Sequence, residues 1–176
     1  MYRAMQIANY IIHLALRGNI DVTNLHLQKI LYYLQAESLY RTGDPLFGDN
    51  IGKWRLGPVV PNVYHEYKEY GSQPIRGIAE EIVFDEETME VEFIQFNVNE
   101  ISEDTKGAIE QPIITLLRQN AFDLVDRTHE HNPWSEYRER IENGERGLEY
   151  TNEEIQEYFT QYPERLSEVM RSVREE

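Results

Sequence analysis

The chain has 176 residues, 32 acidic against 17 basic, a formal charge of −15 at pH 7 and no cysteine. That length favours a single domain, and 40% hydrophobic residues with 11% aromatics supply enough apolar surface for a core, which argues against a wholly disordered chain. A strongly negative field repels phosphate backbones, so no direct nucleic-acid binding is expected. The missing thiols exclude disulfides and thiolate chemistry and make a reducing, cytoplasmic setting the economical reading. No apolar run approaches the ~20 residues that span a bilayer and no signal peptide is recognisable, so no membrane association is expected.

Residues 5–17 place Ala8, Ile11, Ile12 and Ala15 at helical spacing before Gly18, which predicts a first helix. Thr23 is a natural cap for a second, whose Leu27, Ile30, Leu31 and Leu34 share a face and whose end is marked by Gly43 and Pro45. The pair forms a helical hairpin. A third helix is expected from about Pro61 to Gly71, with Val63, Tyr64, Tyr67 and Tyr70 as an aromatic stripe.

Between Ile82 and Val98 the period changes to two. Ile82, Phe84, Met89, Val91 and Phe93 alternate with acids across a turn at Asp85–Thr88, which predicts a β-hairpin with an acid-rich outer face. Charge is concentrated there: residues 1–76 carry a slight positive excess, whereas ten acids between Gly77 and Asp104 meet no Lys or Arg. Ser102 caps a further helix towards Leu117, which Pro112 must kink or restart. Ala121–Thr128 reads as a short helix with Phe122 and Val125 on one side. Thr151 and Glu154 form a capping box, and Leu166, Val169, Met170 and Val173 give a last amphipathic helix over 163–174. No repeat or linker divides the chain. One compact helical domain over 1–176 is expected, mainly α with a small β-hairpin, an α+β arrangement.

Candidate chemistry is sparse. In His129-Glu130-His131 the H-x-H spacing faces both rings one way only on a strand, and no third ligand is evident, so a structural role is preferred to a metal site or a metal-dependent hydrolase. A histidine in a helix's last turn complements its carbonyl end, which accounts for His129. His65 and Glu66 are neighbours that point apart on a helix. The acids at 85–92 lack the glycine turn and oxygen spacing of a calcium loop, and no nucleophile elbow or phosphate-binding loop is present. No enzymatic activity, cofactor or metal is expected. The rigid segment Trp54–Pro61 reads equally as a contact loop or as a core-plugging turn. Lys29, among Leu27, Ile30 and Leu31, reads as an interior salt bridge or a snorkelling side chain.

Four blocks in order carry a resemblance: Leu27-Gln28-Lys29-Ile30-Leu31-Tyr32-Tyr33-Leu34-Gln35; Gly43-Asp44-Pro45-Leu46-Phe47; Trp54-Arg55-Leu56-Gly57-Pro58-Val59-Val60-Pro61; and Thr128-His129-Glu130-His131-Asn132-Pro133-Trp134. Over about residues 4–160 the chain resembles the Panacea antitoxin domain, also called SocA-like or phage-associated GepA-like. The resemblance implies an antitoxin of a bacterial or prophage toxin-antitoxin system that neutralises a cognate protein toxin by direct binding, without catalysis. Relatives often carry an aromatic where Glu37 or Ser38 stands and a tyrosine where Leu56 stands, and many add an N-terminal DNA-binding module. The alternative is a phage regulatory or proteolytic-adaptor protein that binds a host protein. Of the matching residues, Lys29, Trp54, Arg55, Gly57, Pro58, His129 and Trp134 are read as scaffold. Partner contact is assigned to Tyr64, Tyr67 and Tyr70, with Glu86, Glu87, Glu90 and Glu92 steering a cationic toxin. The oligomeric state is not legible.

Overall fold

A computed structural model describes residues 1–171. Its centre is a helix that is buried nearly all round, which the amphipathic reading of Leu27–Leu34 did not anticipate. Helix α1 (Ala4–Arg17) lies against α2 (Asn24–Thr42). Thr23 caps α2 by accepting from His26 N, and Gly43 ends it in the left-handed conformation with φ 80°. Along α2 the polar residues Asn24, His26, Gln28, Lys29 and Gln35 are buried together with Leu27, Ile30, Leu31, Tyr32, Tyr33 and Leu34. Such a helix is stable only if each buried polar group finds a partner. Gln35 accepts from Leu46 N and Phe47 N at 2.9 and 3.1 Å and donates to Phe47 O at 3.0 Å. His26 Nε2 meets the Leu116 carbonyl at 2.9 Å, and burial lowers its pKa.

Strands β1 (Ile51–Trp54) and β2 (Gly57–Val59) form an antiparallel hairpin where a loop was expected. Strands of four and three residues interrupted by Gly52, Gly57 and Pro58 have no alternating signature. Pro58 is tolerated because β2 is the edge of a sheet ordered β2-β1-β5, with β5 at Glu149–Tyr150. Helix α3 (Pro61–Tyr67) follows, then a 3₁₀ turn at Lys68–Tyr70 and the expected acidic hairpin, β3 (Glu81–Asp85) with β4 (Glu90–Ile94).

Helix α4 (Glu103–Leu117) is capped by Ser102 and carries Pro112 inside it, so the Ala108 carbonyl has no intrahelical donor. In α5 (Ala121–Glu130) the inward stripe is Leu124, Val125 and Thr128; Phe122 is exposed, contrary to the expectation that it shares Val125's side, because two residues before Leu124 and six before Thr128 it lies far round the helix from both. Short helices α6 (Asn132–Ser135) and α7 (Arg138–Glu142) lead to β5. Helix α8 (Asn152–Gln161) has the predicted Thr151–Glu154 capping box, and α9 (Pro163–Met170) buries Leu166 and Val169. Val173 and the predicted end of the last helix lie outside the described residues. One hydrophobic cluster runs through α1, α2, α4, α8 and α9, giving a mainly helical protein with two small antiparallel sheets. No helix among the described residues is long and apolar enough to cross a membrane.

Candidate functional site

The residues singled out by sequence separate into two places. In the first, the recognisable blocks meet one another. Gln28 and Lys29 on α2 grip the β2 segment: Gln28 Oε1 accepts from Val60 N at 2.8 Å, and Lys29 Nζ donates to the Pro58 carbonyl at 2.8 Å. Lys29 is fully buried and no carboxylate pairs with it among the described residues, so neither the salt bridge nor the snorkelling side chain is found. Burial pushes its pKa down to about 7, which keeps a large neutral fraction near physiological pH.

Gly57 is the point of closest approach. Its φ is +94°, and a Cβ there would lie 2.6 Å from Thr128 Oγ1 and 3.1 Å from Lys29 Cε. Only glycine lets β2 pass between α2 and α5 at that separation. Trp134 closes the same node from α6: its indole nitrogen donates to the Trp54 carbonyl at 2.8 Å, and His129 stacks on its ring at 3.8 Å with planes 18° apart. Arg138 lies 4.8 Å from that ring. Burial first, then the charges of Arg138 and Lys29, hold the His129 pKa below its ordinary value. Stacking on Trp134 is thus added to its expected place in the last turn of α5.

His131 goes elsewhere. It is buried among Tyr33, Tyr158 and Phe159, its ring 4.8 Å from Tyr158 and 5.3 Å from Phe159. Burial, aided by Arg165 and Arg127, pushes its pKa down to about 3. The two imidazoles thus serve different clusters, and no group of three His, Cys, Asp or Glu side chains suited to a metal occurs among the described residues. Of the motif residues read as scaffold, Lys29, Gly57, Pro58 and Trp134 are buried; Trp54 and His129 are half-buried, and Arg55 is exposed in the β1–β2 turn.

The expected tyrosine patch does not form a continuous surface. Val63 and Tyr67, four residues apart, turn inward from α3, where the Tyr67 hydroxyl donates to Asn9 Oδ1 at 2.7 Å and accepts from Ala79 N at 3.0 Å. Tyr67 is therefore part of the core. Tyr64 is half-buried edge-on to Trp54 at 5.0 Å, and Tyr70 lies half-buried beside Tyr67. Trp54, Arg55, Tyr64 and His65 line one wall of an open cleft of about 740 Å³, whose other wall is the Gly144–Leu148 loop.

The second place is the β3–β4 hairpin. Glu86, Glu87, Glu90 and Glu92 are all exposed on it. The register pairs Ile82 with Phe93 and Phe84 with Val91, so these four side chains share one face. On that face Ile82, Phe84, Val91 and Phe93 are 65, 51, 52 and 64% exposed, and Met89 in the turn is 72% exposed. Alternation located the strands but did not reveal that their apolar side is bare. Two further groups escaped the sequence reading: Thr128, which limits the space at Gly57, and Lys53, which is buried, pairs with Glu154 at 2.6 Å and lies 3.6 Å over the Tyr137 ring. A lysine in a four-residue strand carries no periodic signal, and the closeness of Thr128 to Gly57 depends on a contact between segments far apart in sequence.

Comparison with known proteins agrees with the ordered blocks. The family model described as Antitoxin SocA-like, Panacea domain, matches residues 27–135. Antitoxin SocA of Caulobacter vibrioides (strain NA1000 / CB15N) is 30% identical over 134 residues, covering 74% of this chain and 68% of that protein. No solved structure matches.

Proposed function

The chain belongs to the Antitoxin SocA-like, Panacea domain family, and from that membership we propose that it is the antitoxin of a toxin-antitoxin pair, neutralising a cognate protein toxin by direct contact in the cytoplasm. The family match over 27–135 carries this reading, since those residues include the whole motif node and the acidic hairpin. The buried motif side chains Lys29 and Trp134 are spent on backbone carbonyls of the β1–β2 hairpin, which favours a scaffold for recognition over a reactive centre built from them. The charge of −15 suits a partner with a cationic surface, because complementary fields accelerate encounter and align the docking faces.

The test is to express the adjacent open reading frame alone and together with this chain. Growth arrest by the neighbour, relief on co-expression and co-purification of the two products are expected. A harmless neighbour that forms no complex would sink the reading.

A further inference from the structure

The bare face of the β3–β4 hairpin is the largest apolar feature the fold leaves uncovered. Five large side chains at half to three-quarters exposure amount to on the order of 500 Å², near the top of the range for a monomer's largest apolar patch. We propose that Ile82, Phe84, Val91 and Phe93, with Met89 at the tip, form the contact face for the protein partner, and that the partner presents an apolar patch bordered by lysines or arginines. This inference rests on the antitoxin reading and names the surface through which it operates.

Several observations favour a display face over an unfinished core. The stem of the hairpin is tied to the body at named points. Arg3 pairs with Glu81, Asn9 Nδ2 donates to Ala79 O at 3.3 Å, Tyr67 holds Ala79 N, and Phe96 and Val98 pack against the core. Beyond the stem every residue of β4 is exposed, as are Ile82, Phe84 and Asp85 on β3. The blade is thus held in position while its apolar residues remain free, the arrangement that lowers the ordering cost of docking.

Charge decides between candidate occupants. Glu86 and Glu87 form an acidic margin at the turn, Asp85, Glu90 and Glu92 stand on the reverse side of the blade, and from Gly77 to Asp104 no cation offsets these five acids within the segment. A second copy of the chain seated on the face would bring two such margins together, and like charges across an interface oppose association. A cationic rim turns the same five acids into favourable neighbours. A face of this area supplies the centre of an interface of roughly 800 Å² per partner, with Glu86 and Glu87 at its rim.

The experiment uses the full chain and the purified product of the adjacent open reading frame. Phe84→Ser combined with Phe93→Ser should weaken the complex at least a hundredfold while leaving the thermal midpoint and circular dichroism of the chain unchanged, since both rings already face solvent. Hydrogen exchange on the wild-type complex should show amides 81–94 protected relative to the free chain, a readout that needs no variant. Affinity within twofold of wild type, or amides 81–94 unprotected in an intact complex, overturns the hairpin assignment and leaves the antitoxin reading standing. Absence of any complex with the wild-type chain removes both. Sedimentation that finds a dimer abolished by the double substitution assigns the face to a second copy and overturns the cationic partner.

Discussion

The node around Lys29 and the β3–β4 hairpin use conspicuous side chains in opposite ways. In the node a lysine, the Trp134 indole, an imidazole and a glycine are turned on one another, each filling space or satisfying a group that α2, β2, α5 and α6 would otherwise leave unmatched. In the hairpin, phenylalanines and isoleucine stand in solvent among acids. The blocks that make the family recognisable are therefore chiefly the blocks that fix the scaffold. The hairpin carries none of those blocks and leaves its side chains free for contact. Motif specificity and surface availability are separate properties here.

The sharpest way to break the comparison is to attack the node. Trp134→Ala removes a fully buried indole and leaves the Trp54 carbonyl without its donor, so unfolding in urea should show a loss of about 3–5 kcal/mol. A loss under about 1 kcal/mol would mean that the node is peripheral. Gly57→Ala should cost at least about 2 kcal/mol, from positive φ together with the approach to Thr128 and Lys29. Gly43→Ala is its control, because that glycine has φ +80° but its nearest neighbour would be an ordinary 3.6 Å away. It should cost about 1 kcal/mol, as expected for a left-handed helix end alone.

Lys29 sharpens the picture through pH. Its pKa falls from 10.5 to about 7 on folding. Between those values the unfolded chain holds a proton that the folded chain has released, so this group's contribution to stability rises with pH across that window. Below about pH 7 the burial of the ammonium weighs fully against folding. Lys29→Met removes that penalty and orphans the Pro58 carbonyl, a cost of roughly 1–3 kcal/mol. The stability difference between variant and wild type should favour the variant most at pH 6 and shrink steadily towards pH 10. A difference independent of pH would show that the lysine is not buried as an isolated amine.

Much of the frame was legible in advance. Thr23, Gly43, Ser102 and the Thr151–Glu154 box mark helix ends through local hydrogen bonding, which depends on a few adjacent residues. The period-two run located β3 and β4 for the same reason. What escaped depends on distant neighbours. Gln28 and Lys29 are buried because β2 crosses above them, Tyr67 turns in because Asn9 and Ala79 engage its hydroxyl, and the β1–β2 hairpin is held because α2 offers an acceptor, Gln28, and a donor, Lys29, to its edge. Alternation likewise states which hairpin residues share a face. Whether the body reaches that face is decided by the stem, and no property of residues 82–93 encodes it.

The smallest expected effect on stability, and the most direct probe of the hairpin as a charged margin, is to convert Glu86, Glu87, Glu90 and Glu92 together to glutamine. Asp85 is left in place because its carboxylate accepts from Glu87 N and Thr88 N at 2.8 and 3.1 Å and holds the turn. Glu90 stands opposite Asp85 across the strands, so its neutralisation relieves a like-charge pair and should shift stability by no more than a few tenths of a kcal/mol. Association with the partner should slow by about tenfold at low salt, and the difference should vanish near 1 M salt, where screening acts within ~3 Å. Four exposed acids on other elements, Glu136, Glu139, Glu153 and Glu157, give an equal change in net charge. If converting those to glutamine slows association as much, the overall charge of the chain does the steering and the hairpin margin has no special part in it.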